Sequence, residues 1–292
     1  MRVKRNYRFQ PSRIRSNARS RVRPRQSGGG GAGCLRLLLP LGLAAFAIIS
    51  FLGSKSFNPV TGEDQYVSLS YDQEVALGLQ AAPQMTAQYG GLMQDADVQA
   101  LADQLGAELV GNSFARESGY PFEFHILADD EVVNAFALPG GQVFVTLALL
   151  ERLDNIDQLA GILGHEIGHV VGRHGAEQMA KAELTQGLTG AIVLASYDPD
   201  NPNSARSAQV AALIGQLVNL RYGRDAELES DFWGVCIIAE AGYDANELVE
   251  VMRILADASS GPRPPEFLSS HPDPGNRIAE IQNAINNLDN CP

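Results

Sequence analysis

Cysteine is scarce, and its placement excludes several chemistries. The 292 residues contain three, Cys34, Cys236 and Cys291, none in a Cys-x-x-Cys pair. A thiolate metal centre or a dithiol redox motif is therefore excluded. Cys34 precedes the N-terminal apolar run, the wrong side for a lipid-modified cysteine. Cys236 and Cys291 stay open between a disulfide, if they lie in an oxidising compartment, and two buried thiols. Basic residues are scarce as well beyond the N-terminus. Residues 1–36 hold half of the 22 Lys and Arg and no acid, leaving 11 basic residues to face all 34 acidic ones, a net of −23. So acidic a body does not bind nucleic acid. No period of 20 to 50 residues repeats, which excludes a solenoid, and beyond residue 53 no apolar run is long enough for a membrane span.

The N-terminus is a different object from the rest. Residues 1–33 are rich in Arg, Ser, Pro and Gly and hold too little apolar material for a core, so a disordered basic cytoplasmic tail is expected there. Residues 35–53 carry the apolar run Leu37 to Gly53, about 25 Å long as a helix against a hydrocarbon core of about 30 Å. No Ala-x-Ala cleavage site follows, and the basic region is long for a signal peptide, which favours an uncleaved transmembrane anchor. The positive-inside rule then keeps the arginines in the cytoplasm and sends the rest across. In a bacterium this gives a single-pass inner-membrane protein with an extracytoplasmic body. The Arg- and Ser-rich, acid-free start also suits a mitochondrial precursor bound for the inner membrane.

Residues 57–292 read as one folded unit, entered through a turn-rich linker, Phe57 to Glu63. Ser70-Tyr-Asp-Gln opens a capped helix ending near Tyr89, and Asp95 to Leu109 is a second amphipathic helix. Phe122–Ala128, Val132–Phe136 and Gln142–Thr146 alternate as strands do, with Leu138-Pro-Gly-Gly141 forcing a turn before the last. That turn predicts a Gln142–Thr146 strand at a sheet edge. Helices follow over 157–173, 176–196, 208–222, 224–241, 247–256 and 276–288, with a polar loop at 197–204 and a Pro-rich loop at 259–274.

What is present in the middle of the chain organises the rest. Only five histidines occur, and two of them fall four apart in Gly161-Ile-Leu-Gly-His165-Glu166-Ile-Gly-His169-Val-Val-Gly172. On a helix His165 and His169 share a face, so both imidazoles can reach one divalent ion, with Glu166 placed to act on water at its open position. Gly161, Gly164, Gly168 and Gly172 form a stripe beside them, costing about 1 kcal/mol each in helix propensity. Such a stripe suits the close approach of another backbone. A catalytic zinc needs a third protein ligand. Glu227, Glu229 and Asp231 are the carboxylate candidates, with Glu227 and Asp231 one turn apart and Glu229 pointing elsewhere. His174, at the end of the motif helix, and His125, in a strand, read as structural.

Gly164-His-Glu-Ile-Gly-His169 followed by Glu227-Leu-Glu-Ser-Asp231 resembles the membrane-associated zinc metallopeptidase family of HtpX, the type I CAAX prenyl protease and the Oma-type and bacterial periplasmic quality-control proteases. Asn134-Ala-Phe-Ala-Leu-Pro-Gly-Gly141, Ser270-His271-Pro272 and Arg277-Ile278 resemble further family segments, in the same order over residues 57 to 288. Ser230 departs from the usual Ala, small for small. The resemblance implies an α+β, mostly helical zincin-like domain with a small sheet. It implies one Zn2+ on His165, His169 and Glu227, Glu166 as general base, and Asp231 and Arg277 supporting the ligands. His271 is implied to lie near the metal, stabilising the oxyanion or capping the ion at rest. Asn134, Gly141, Val143 and Val145 would line the substrate rail, an edge strand to which unfolded polypeptide adds.

Two readings from other classes compete with a membrane-anchored endopeptidase acting on misfolded or damaged exported and membrane proteins. One is a zinc-binding chaperone or adaptor that seldom cleaves. The other, a membrane-tethered nucleic-acid binder, rests on the arginine tail alone.

Overall fold

The computed structural model of the chain describes residues 32–195, 222–259, 264–272 and 275–292, with side chains in the first stretch described over 38–187. Residues 1–31 of the tail expected at 1–33, the loop at 197–204 and all but Tyr222 of the helix expected at 208–222 lie outside the described residues, and residues 32–33 belong to the first helix rather than the tail.

Local signals in the sequence set most element boundaries. Helix α1 is Ala32–Gly53, followed by a small antiparallel hairpin of β1 (Lys55–Phe57) and β2 (Asp64–Tyr66). Helix α2 (Tyr71–Gln88) starts on a capping box, Ser70 accepting from the Gln73 N–H and the Gln73 side chain returning to the Ser70 backbone. Helix α3 (Ala96–Gly111) starts on Asp95, whose carboxylate accepts from two first-turn N–H groups. Strands β3 (Glu123–Leu127), β4 (Ala135–Leu138) and β5 (Gln142–Thr146) follow, then the short α4 (Leu147–Leu150) and the motif helix α5 (Ile156–Val171). Beyond it come α6 (His174–Ala195), α7 (Arg224–Glu240), α8 (Glu247–Ser259), α9 (Phe267–Ser270) and α10 (Arg277–Asn286).

The sheet corrects one expectation. Its order is β3-β5-β4, with β5 parallel to β3 and antiparallel to β4. The turn at Leu138–Gly141 forms the β4–β5 hairpin as the sequence suggests, with Gly140 and Gly141 at φ +85° and +102°. Yet β5 is the central strand, because β3 pairs with its other side. Both backbone edges of β5 are occupied, so it cannot accept a peptide strand. Among the described residues no strand pairs with the outer edge of β4.

Helix α5 is buried along nearly its whole length and packs on α7, α8 and the sheet. The glycine stripe explains how close α7 comes. A Cβ on Gly168 would lie 2.9 Å from the Ser230 carbonyl oxygen, and one on Gly164 would lie 2.8 Å from the Ile238 side chain. Gly234 on α7 returns the relation, its absent Cβ falling 3.1 Å from the His165 nitrogen. The 57–63 segment does more than link. Asn58 is buried and its amide donates to the Val171 carbonyl at 2.7 Å, while the Gln65 amide donates to Gly172, so the hairpin satisfies carbonyls at the C-terminus of α5.

Helix α1 lies along α6 and leaves Leu38, Leu39, Leu41, Phe46, Ile48, Ile49 and Leu52 exposed. Among the described residues no helix is long and apolar enough to cross a membrane. At the other end, Cys236 and Cys291 form a disulfide between α7 and the C-terminal segment.

The disulfide closes a 55-residue stretch, for which chain entropy gives about 4 kcal/mol. Cys291→Ser, or addition of reductant, should therefore lower the unfolding temperature clearly in thermal denaturation. An unchanged transition would show that the bond contributes nothing to stability.

Candidate metal centre

The site is assembled from α5, α7 and the turn after α9. His165 and His169 stand one turn apart on α5, their Nε2 atoms 3.1 Å from each other. Glu227, in the first turn of α7, brings Oε1 to 3.5 Å from His169 Nε2 and Oε2 to 3.7 Å from His165 Nε2. His271, at the C-terminal end of α9, places Nδ1 3.3 Å from His165 Nε2, 3.2 Å from His169 Nε2 and 3.2 Å from Glu227 Oε1. One donor atom from each of the four lies within 4.8 Å of all the others, and every one of these residues is buried.

This donor set fits a zinc ion. Ligand nitrogens about 2.0–2.1 Å from a tetrahedral centre stand about 3.3 Å apart, close to the spacing of the three imidazoles. The Nδ1 of His165 faces the Asp231 carboxylate at 2.9 Å, which fixes its N–H on that side and leaves Nε2 as a lone pair. Lone pairs converging in a buried pocket call for a cation among them. Both oxygens of Glu166 are buried without a hydrogen bond, as expected of a carboxylate held for a reacting group.

The sequence profile of Peptidase family M48 matches residues 94–285, a span that holds all four donors. The chain belongs to peptidase family M48. It is 34% identical over 250 residues to the beta-barrel assembly-enhancing protease of Escherichia coli (strain K12), covering 82% of this chain and 49% of that protein. The protein of the same name from Yersinia pestis is 33% identical over 243 residues, 81% of this chain and 49% of that one. The mitochondrial metalloendopeptidase OMA1 of Homo sapiens is 27% identical over 272 residues, 86% of this chain and 52% of that one. The chain thus spans about half the length of these curated relatives.

Around the four donors of this M48 domain, charge is tightly paired. Arg277 is buried and donates through Nε and Nη2 to the two oxygens of Asp231 at 2.7 and 2.6 Å, with Nη1 3.2 Å from Glu227 Oε2. Burial pushes the Asp231 carboxyl up, but Arg277 and His165 outweigh it and hold it below the usual range. Glu227 follows the same logic: burial raises it, and His271 and His169 pull it well below normal. Burial pushes Glu166 up and His169 well down.

The structure sorts the sequence-derived residues. It brings His165, Glu166, His169, Glu227, Asp231, His271 and Arg277 together, with His271 among the donors rather than beside them. Asn134 lies nearby, but its amide donates to Tyr89 Oη at 3.2 Å and to Glu266 at 3.4 Å. Gly141 serves the turn at φ +102°, where an added Cβ would lie 3.2 Å from Phe122 Cα. Val143 and Val145 sit in the core of the central strand, which removes them from any substrate rail. His125 is structural as expected, 2.9 Å from Gln142 Oε1 and stacked on Phe144.

Tyr222 was invisible to sequence reasoning. Its ring stacks on His169 with centroids 3.9 Å apart, and its N–H donates to the Ser270 carbonyl at 3.0 Å. No local pattern marks it, since the stacking joins residues 53 positions apart. Glu266 was missed for the same reason: it accepts from Tyr89 Oη at 2.6 Å and holds the α9 turn near the donors.

Asp231→Asn should leave the Arg277 guanidinium buried without its full counter-charge and should loosen the His165 ring. Breaking such a pair costs about 3–5 kcal/mol, and losing a ligand-orienting carboxylate weakens metal affinity about 10–100-fold. Thermal unfolding and zinc competition titration measure the two effects separately. Wild-type zinc affinity in this variant would remove Asp231 from the site.

Proposed function

We propose that this protein is a membrane-anchored zinc endopeptidase that hydrolyses peptide bonds of misfolded or damaged membrane and exported proteins. The observation that carries the reading is Glu166, buried beside four convergent donors with both oxygens free of hydrogen bonds. His165, His169 and Glu227 would hold the ion, with His271 on the fourth position. Zinc, when bound, supplies a Lewis acid that polarises a carbonyl and lowers the pKa of water. Glu166 takes a proton from the attacking water and passes it to the leaving amine as the C–N bond breaks. Asp231 and Arg277 keep His165 oriented throughout.

The outer edge of β4, with which no strand pairs among the described residues, is the best-supported rail for substrate. It borders the donors through Asn134, Ala137, Leu138, Tyr222 and His271, which line one small cavity. An extended segment pairing with β4 would be held mainly through its backbone, a mode that suits unfolded chains of varied sequence. The apolar residues exposed on α1, together with the basic, acid-free residues 1–36, support an anchor in an inner membrane, bacterial or mitochondrial, with the catalytic domain on the far side.

One observation supports a closed resting form. His271 completes a four-donor set and the donors are buried, so substrate has no open coordination position until the α9 turn moves. The chaperone or adaptor reading would make that closure permanent.

Casein hydrolysis by the full chain in detergent, with and without chelator, tests both. Glu166→Gln should keep zinc and lose at least about 100-fold in rate. His271→Ala should raise the rate if the turn is a cap, and lower it if His271 instead stabilises the oxyanion. A wild-type chain that binds zinc yet cleaves nothing, with His271→Ala equally inert, would exclude the peptidase and leave the chaperone reading.

A further inference from the structure

His174 ends the motif Gly168-His-Val-Val-Gly-Arg-His174 and looks in sequence like a helix-terminal residue. In the fold it is 2% exposed. Its Nδ1 lies 2.9 Å from Nδ1 of His169, its Nε2 lies 3.0 Å from Glu229 Oε2, and Ser230 Oγ is 3.3 Å from its Nδ1. On an uninterrupted helix five residues advance about 500°, which would leave His174 about 140° around the axis from His169.

The chain breaks the helix to bring them together. Arg173 adopts φ +53°, the left-handed region, and among the described residues no other non-glycine does so. Its guanidinium is fixed by Glu74, which Nε meets at 2.9 Å, and by the Leu69 carbonyl at 2.9 Å. Gly172 completes the arrangement. A Cβ there would lie 2.6 Å from His174 Nε2 and 2.8 Å from Cε1, so the ring folds over a position that only glycine leaves open.

We infer that His174, anchored by Glu229, is the positioning residue for His169. It accepts the His169 Nδ1–H and donates its own Nε2–H to the Glu229 carboxylate. That assignment fixes the His169 tautomer with its Nε2 lone pair turned to the metal. The two ligand histidines are thus held from behind by different means, His165 by a buried carboxylate and His169 by a second imidazole. Glu229, 45% exposed at its side chain, closes the relay at the surface.

This inference rests on the zinc reading above, and the test keeps their failures apart. Zinc dissociation constants of the full chain in detergent are measured by competition with a chromophoric chelator, beside thermal unfolding of the metal-free protein. His174→Ala should weaken zinc binding about 10–100-fold. His174→Gln, which can still accept from His169 and donate to Glu229, should recover most of it. Gly172→Ala keeps every side chain of the site and should weaken zinc by displacing the His174 ring; it decides the matter if His174→Ala does not fold. Zinc affinity unchanged in both His174→Ala and Gly172→Ala overturns the inference, whatever happens to the unfolding temperature. A wild-type chain that binds no zinc at all overturns the zinc reading itself, and this inference with it.

Discussion

The close approach of α5 and α7 is the constraint on which the rest depends. Two helices meet at glycines on both sides, Gly164 and Gly168 against Gly234. This brings Glu227 and Asp231 to a distance where their carboxylates touch the two histidines of α5. A methyl group at Gly168 would press on the backbone of Ser230, between those two acids, and move both. The helix-propensity cost of the glycines, about 1 kcal/mol each, is offset by what the contact allows. Large side chains there would hold the helices at an ordinary spacing of about 8–10 Å, and the donors would part.

Burial then makes charge balance unavoidable. Glu166, Glu227 and Asp231 are all buried, and the Arg277 guanidinium meets the last two. In low dielectric an excess of negative charge is costly unless a proton or a cation answers it. The direction of the shifts says where protons would go: Glu166 is raised by burial, and His271, which burial alone would lower, is raised by Glu227 and Glu166. A divalent cation among the donors answers the same demand without those protons. The electrostatics of the pocket and its ligand geometry therefore point to the same occupant.

How much of this was legible in the sequence follows from the range of each interaction. His165, Glu166 and His169 are one helical turn, so a 3.6-residue period is enough to place them. Glu227 and Asp231 share a face by the same period, and the glycine stripe announced a close neighbour, though not which one. Helix starts at Ser70 and Asp95 were readable because caps are local. Strand order was not. Alternation marks which residues form strands, whereas the partner of β5 on its far side is β3, some 20 positions away in sequence, and that pairing moved the free edge to β4. The contact of His174 with His169 left no trace in the sequence because it needs a left-handed residue at Arg173, where the usual signal, a glycine, is absent. The segment 57–63 was read as a linker from its turn-forming residues, yet Asn58 reaches the end of the metal helix. Long-range contacts made by polar side chains leave no periodic trace.

On the proposed peptidase reading, the closed resting form would open by movement of the α9 turn. The α9 turn is held at three places: the Phe267 N–H donates to the Val133 carbonyl at 3.2 Å, the Tyr222 N–H donates to Ser270, and Glu266 accepts from Tyr89. The first of these lies at the approach to β4, the strand with the free edge. The last residue of the turn is His271, on the fourth donor position. One short segment therefore joins the approach to that edge and the four donors. A strand of substrate laid along β4 towards Val133 would compete with the Phe267 contact first. Each hydrogen bond it displaces is worth about 0.5–1.5 kcal/mol net, and the new backbone bonds along β4 are of the same kind. Exchange of the turn for substrate is then close to balanced in hydrogen bonds. On the proposed peptidase reading, what would separate a chain that opens the site from one that does not is its ability to lie extended on β4, which a folded protein cannot do.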